Sequence, residues 1–481
     1  MFQRTHPAMI FTQLRRFLYI LIIPAVRGFF SALFSDFWGW LAGAWLDIGA
    51  LSLIFLLAIL RWQRLAYRLD EQGITVRSGL LLRQETLLLW SKIATITITE
   101  PFYLRPLHVV FLRADTLGGN RWRPDVSLTL LREDSGVFFR FHGQIPPATA
   151  PPRPTYIPGT WALLLLALLT SHSLTGVLFL ATFVSQSGKL LGAELSRLIV
   201  NHLWDISHRL AFGLPPIAAA AAYVLLGGWA VGFLFVLVRY RHFSISRWES
   251  TPTDFLGISG GLGTRRHTIL RQNHVNFIDI RQNILALVLG LSSLYASVAG
   301  YGKGKGDISC LIPAEAASRF AHIRQQLFPG FEPASSLLRP AHSSIMAFIG
   351  LPLALCGLLI TAGLTAVTLF AAFHTFILFV CLMLLVPVGL LLAVRLREWR
   401  AGGCACSPSH YTMCYSRRFI IHTAIIPTDK ITRVVMVQTP FQLLGGGRNC
   451  RLLLYTASEG RARHICRSLP KAEAQAFLKQ M

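Results

Sequence analysis

The chain alternates three times between long unbroken apolar stretches and polar stretches built of short alternating runs. The apolar stretches come in pairs: Phe17–Phe34 with Trp38–Leu60, Thr160–Gln186 with Ala211–Val238, and Ser343–Phe373 with Thr375–Val394. Ser343–Val394 contains no Asp, Glu, Lys or Arg. As one helix it would extend about 78 Å, against a hydrocarbon core of about 30 Å. Two antiparallel spans turning near His374 fit that length, and the other pairs follow the same logic with polar breaks. The pattern predicts three hairpins, six transmembrane helices in all.

After each pair the period changes to two, the signature of half-buried strands. In the first such module the alternation predicts strands near Arg64–Leu69, Ile74–Gly79, Leu81–Leu89, Ala94–Glu100, Val109–Asp115, Val126–Leu131 and Val137–His142, with Glu133–Gly136 as a turn. A small closed barrel or orthogonal sandwich hides the edges of that many short strands. The modules align on one another. Each has an Arg/Thr-containing strand, a polar break, an apolar anchor (Ile93, Val275, Ile431) and a polar residue seven positions later (Glu100, Gln282, Gln438). Pro313–Leu327 and Pro470–Met481 read as terminal helices of the second and third modules. Pro146–Pro158 reads as a stiff linker, leaving the first module without one. The predicted organisation is hairpin 1–60, module 61–145, linker 146–159, hairpin 160–238 with an outer amphipathic segment near Lys189–Arg209, module 239–330, linker 331–342, hairpin 343–394 and module 395–481.

Composition agrees with a membrane protein: mean hydropathy is +0.51 and only 14% of residues are charged, against about 25% in soluble domains. Nearly all of the formal net charge of +24 lies in the polar segments, with clusters such as Arg61, Arg64 and Arg68 where each second span leaves the bilayer. Basic segments stay in the cytoplasm, so both termini and all three modules are expected there, on the bacterial inner membrane. The basic residues follow the membrane edges and are not interleaved with stacking aromatics, which argues for anionic lipid of the inner leaflet and against nucleic acid.

At this level the chain resembles the bacterial PH-like membrane-flanked-domain family, in particular its long YdbT-type members with three modules. The resemblance rests on Thr86–Ile93, Thr268–Val275 and the longer Thr423–Ile431, on Gln438–Gly445, and on their placement after hairpins. It implies PH-like barrels and a cell-membrane location, and it supplies no catalytic residues.

Candidate chemistry is sparse. Arg77 and Arg83, Arg265 and Arg266, and Arg417 and Arg418 recur near the same strands, and Lys303 and Lys305 sit in the glycine-rich Gly300–Gly306. These eight are the candidate contacts to anionic head groups. Arg27 and Asp47, at similar depth in the first hairpin, are expected to pair. Cys404, Cys406, Cys414 and His410 come nearest to a metal set, but C-x-C is not the spacing of structural zinc, so no metal is expected. No catalytic residue and no cofactor is nominated. The expected function is a non-enzymatic scaffold that binds lipids and other membrane proteins, including smaller proteins of the same family. The alternatives are a transport or lipid-handling component and, with no motif to support it, an envelope-metabolism enzyme.

Overall fold

A computed structural model describes residues 2–14, 37–80, 82–119, 123–141, 154–170, 201–202, 205, 216–248, 254–302, 309–334, 338–444, 446–457 and 462–479. Its apolar helices are Phe37–Gln63, Thr160–Thr170, Pro216–Tyr240, Ile345–Leu369 and His374–Ala401. Among the described residues three stretches are long and apolar enough to cross a membrane, Tyr223–Tyr240, His342–Leu369 and Ile377–Ala401, while Ile48–Gln63 and Thr160–Thr170 are apolar but shorter. The remaining predicted spans, at 17–34 and 171–186, and the outer segment apart from 201–202 and 205 lie outside the described residues. The third hairpin turns at Ala371–Phe373, next to the predicted His374. Its helices meet closely at Gly363, where a methyl group would lie 2.7 Å from the Cys381 Sγ. On the outside, Leu351, Leu358, Leu364 and Leu382 are 70%, 63%, 63% and 58% exposed. A stripe that apolar is stable against lipid and not against water, because each square ångström left wet forgoes about 25 cal/mol.

Each module has two three-stranded antiparallel sheets followed by a helix. The first sheets are β2 (Ala66–Leu69), β3 (Gly73–Ser78) and β4 (Gln84–Leu89); β8 (Ser244–Trp248), β9 (Phe255–Gly260) and β10 (Thr264–Arg271); and β14 (Gly403–Cys406), β15 (His410–Arg417) and β16 (Ile420–Pro427). A 3-10 turn ends each of them, at Trp90–Lys92, Gln272–His274 and Thr428–Lys430. The second sheets then start on the three anchors. They are β5 (Ile93–Pro101), β6 (Val109–Thr116) and β7 (Val126–Leu131); β11 (Val275–Asn283), β12 (Leu291–Val298) and β13 (Cys310–Ala316); and β17 (Ile431–Val437), β18 (Asn449–Thr456) and β19 (Ala462–Pro470). The polar residue seven positions on holds the next strand in place. Gln282 Nε2 donates to Leu291 O (3.1 Å) and Gln438 Nε2 to Asn449 O (3.0 Å), whereas Glu100 pairs with Arg132 at 3.7 Å.

The modules are not closed. The outer strand of each second sheet pairs with the outer strand of the next module's first sheet, giving six-stranded sheets β7-β6-β5-β10-β9-β8 and β13-β12-β11-β16-β15-β14. The two seams share one register. Thr97 pairs with Thr268 and Asp279 with Ala424, in each case the fourth residue after one anchor and the seventh before the next. Side chains cross both seams: Thr97 Oγ1 lies 3.1 Å from Thr268 Oγ1, Thr95 Oγ1 donates to Ala299 O (2.7 Å), and His422 Nδ1 lies 2.9 Å from Asp279 Oδ2. The core of the middle module takes in Ala94 from the first and Ile425 from the third. Among the described residues no strand pairing closes a module into a barrel, which leaves the expected two-sheet alternative. The chain hides these edges by pairing one module with the next.

Three further differences have physical causes. Arg132–Phe141 is a helix where a turn and a seventh strand were expected, so the first module also ends in a helix. Glu133 and Asp134 in its first turn suit the positive end of the helix dipole, and Ser135 Oγ donates to Arg132 O (2.6 Å). The helix of the second module starts at Ala317, because Pro313 belongs to β13. The segment before each hairpin is also part of the module after it. β1 (Gln3–Arg4) pairs with β2, Tyr156 of the proline-rich linker bridges Ile245, and Leu338 bridges Cys404.

Between the first two strands of the second module's second sheet, helix Ile284–Val288 is capped by Asn283, whose Oδ1 accepts from Ala286 N at 2.7 Å. Its Ala286 packs with Leu165 and Leu169, and its Ile284 and Leu287 with Val394, so it wedges between the second and third hairpins.

Gly79 and Gly261, at matching positions two strands into their modules, have φ of +110° and +105°. A Cβ on Gly261 would lie 2.1 Å from Thr264 O, while one on Gly263 would meet nothing. Gly261→Val is therefore expected to lower the thermal midpoint of the full chain by the equivalent of about 1–3 kcal/mol, and Gly263→Val to change it much less. A thermal-shift comparison of the two variants reads the difference directly.

Candidate functional site

A concavity lies across the first seam. It has a volume of about 540 Å³, a floor that includes Ile98 and Val110, and walls that include Glu100, Arg132, Ser135, His242, Ser259, Gly260, Gly261, Arg265, Arg266 and His267. Two modules build it. β5, β6 and the helix from Arg132 supply one side, and β9, β10 and the exit of helix Pro216–Tyr240 supply the other. The turn between β9 and β10 is tied to that exit: Gly261 N donates to Arg241 O (2.8 Å) and Leu262 N to Val238 O (3.1 Å). Arg105 Nη2 from the first module donates to Leu262 O (2.7 Å) and fixes the same turn from across the seam. The groove therefore opens at the end of an apolar helix.

The guanidiniums of Arg132 and Arg265 and one carboxylate border the groove, and the carboxylate, Glu100, lies within 3.7 Å of Arg132. The wall desolvates His267 and holds its pKa below the ordinary 6.5, so at neutral pH it is a neutral hydrogen-bonding group. With the Ser259 hydroxyl, which also lies 2.7 Å from Ser244 Oγ, the donors present suit an oxyanion.

The predicted arginines meet different fates. Arg265 lies on the groove face of β10 with His267, whereas Arg266, between them in the strand, has its side chain on the opposite face with Thr97 and Thr268. Arg77 is held elsewhere, 3.0 Å from Glu85 and stacked on Phe2 at 3.8 Å. Arg83, Arg417 and Arg418 are exposed at the turns between the last two strands of the first sheets. These three turns each pair basic residues with an exposed apolar one, Leu82 at 86%, Leu262 at 50% and Phe419 at 44%, a combination that suits a membrane–water interface. The structure thus separates the three pairs. Lys303, Lys305 and Arg27 lie outside the described residues, as does the side chain of Asp47. Gly300 of the glycine-rich stretch has a packing role: a Cβ there would lie 2.2 Å from Thr95 Oγ1 and 2.4 Å from the Asp115 Cβ, across the seam. Cys404 and Cys414 fall on opposite faces, since Cys404 pairs with Met413 and Cys414 with Gly403. Arg132 and His242 complete the groove and were missed, the first because its segment read as a turn.

The second seam holds a buried polar cluster on the sheet face that corresponds to Thr97, Thr99 and Arg266 at the first, opposite to the groove's face. Asp279 accepts from Arg281 Nε (2.6 Å) and faces His422. Tyr415 stacks on His422 with centroids 5.3 Å apart, and its OH lies 3.0 Å from His464 Nδ1. Burial alone would raise the pKa of Asp279, but the hydrogen bonds and charges of His422 and Arg281 outweigh it and lower it. Burial lowers His464 to about 4, and burial with Arg271 lowers His274, at the first seam, to about 4. Both histidines fold neutral and charge more readily when unfolded. The stability they confer is complete above the ordinary 6.5 and is lost as pH falls from there towards about 4. The thermal midpoint of the full chain is expected to fall across that window, and His464→Gln to flatten the fall.

Comparison with known proteins supports the module's architecture. A family described as bacterial PH domain matches residues 18–140, from the first predicted span to the helix that closes the first module. No curated protein and no solved structure matches the chain. The matched stretch is about a quarter of the chain, and it covers one of the three repeats of sheet, turn, sheet and helix described above.

Proposed function

We propose that the chain is a non-enzymatic, multi-pass inner-membrane protein of the three-module type, with six spans and with its termini and modules in the cytoplasm. Its fused modules act as one scaffold that binds anionic lipid head groups and other membrane proteins, including smaller proteins of the same family. The observation that carries this reading is the groove of Arg132 and Arg265 held against the exit of helix Pro216–Tyr240. An arginine-rich cleft at that level meets the phosphates of an anionic leaflet without any movement of the module. The seams add support for sidedness, because a hydrogen-bonded sheet shared by two modules requires both in one compartment.

The lipid reading predicts selective retention of phosphatidylglycerol over phosphatidylcholine by the full chain in mixed nanodiscs, read by native mass spectrometry. Each basic residue near an anionic surface contributes about 1 kcal/mol, so Arg132→Gln with Arg265→Gln should weaken that retention about 30-fold. Equal retention by the double variant would remove the groove from the proposal. For topology, reporter fusions at residues 120 and 460 are expected to report cytoplasm and one at residue 195 the outside, and an external signal at 120 or 460 overturns the sidedness.

A further inference from the structure

The two seams leave the chain with one unpaired edge of each kind. β17 stands where β5 and β11 stand in their modules, yet it is the outer strand of β17-β18-β19. β4 stands where β10 and β16 stand, yet it is the outer strand of β1-β2-β3-β4. Among the described residues no strand pairs with either outer edge.

The burial of these strands shows what their counterparts gain from pairing. Leu87 of β4 is 52% exposed, whereas the residues at the same distance before the next two anchors, Ile269 and Ile425, are 5% and 0% exposed. Leu89 is 40% exposed against 7% for Arg271. At the other end Val437 is 40% exposed, against 6% for Thr99 in β5. Soluble edges are usually guarded by proline, charge or a helix laid across them. Thr86–Leu89 and Val434–Val437 contain neither proline nor charge.

We propose that β4 of a second copy of this chain docks on β17 in the register of the two internal seams, joining copies end to end. Four residues after Ile431 is Val435, and seven before Ile93 is Thr86, so these two face each other as Thr97 faces Thr268 and Asp279 faces Ala424. A second copy is the occupant the structure favours, because one chain carries both edges and has two internal examples of how they join. The contact uses a different surface on each partner. It therefore cannot close as a two-fold dimer and builds a row or a ring of copies in the membrane plane. The assembly uses no residue of the arginine groove, so it stands apart from the lipid reading.

Cysteine cross-linking of the full chain in native membranes tests the register. Thr86→Cys and Val435→Cys are made in separate chains, co-expressed and oxidised. A disulfide-linked dimer is expected from the mixture, no new band from either single variant, and a ladder from the double variant. No cross-link in the mixture, equal cross-linking within one single variant, or capture of Val435→Cys on a different polypeptide would each overturn the proposal. A second variant guards against misfolding as the explanation. Val434 and Met436 face the module's core, so Val435→Lys puts a charge on the opposite face. It is expected to convert multi-copy species to single copies in native mass spectrometry while leaving the thermal midpoint within a degree or two. An unchanged copy-number distribution would sink the idea.

Discussion

A strand at the edge of a sheet has backbone N–H and C=O groups on one side with no neighbour, and this protein is arranged around satisfying them. A three-stranded sheet has two such edges, and a module of two such sheets is too small to hide them all. Pairing β5 with β10 and β11 with β16 satisfies an edge of each participant at once. The backbone bonds are individually modest, at about 1 kcal/mol net. What they fix is position, since slipping the register by one residue would turn Thr97 and Thr268, or Asp279 and His422, to opposite faces.

The rest of the architecture depends on those seams. They bring Ala94 and Ile425 into the core of the middle module and hold helix Ile284–Val288 between two hairpins. They also join two walls, neither of which forms a cleft alone, into the arginine groove. The histidines at the seams are part of the same logic. The buried neutral imidazole of His464 is met by the Tyr415 hydroxyl, and His422 meets the Asp279 carboxylate. The hairpins, in turn, are bounded by strands: the residues before each one bridge the first strand after it, as Tyr156 does with Ile245 and Leu338 with Cys404.

Much of this was legible in the residues. Ile93, Val275 and Ile431 mark the start of each second sheet because an apolar residue after a polar break must turn inward. Gln282 and Gln438 repeat because each ties a strand across a short helix. Local pattern stops short of partner choice, however. Nothing in Thr264–Arg271 says that it pairs with a strand about 170 residues earlier and not with one in its own module. Arg132–Phe141 was misread because Ser135 and Gly136 are turn residues and Val137–Phe139 have the bulk of a strand. Tyr156 was invisible because a single bridging residue has no period. Arg265 and Arg266 stood out as a recurring pair, but of the two only Arg265 is on the groove face, and Arg132 joins it only through the seam.

The seams also set a timetable. Thr97 and its partner Thr268 are 171 residues apart, so β5 leaves the ribosome long before the strand that covers it. At about 5–20 residues per second, that edge waits roughly ten to thirty seconds while the intervening residues are made. The second seam imposes a similar delay on β11. During synthesis the growing chain therefore carries one uncovered strand at its leading module, and the first sheet of each following module is what delivers the cover.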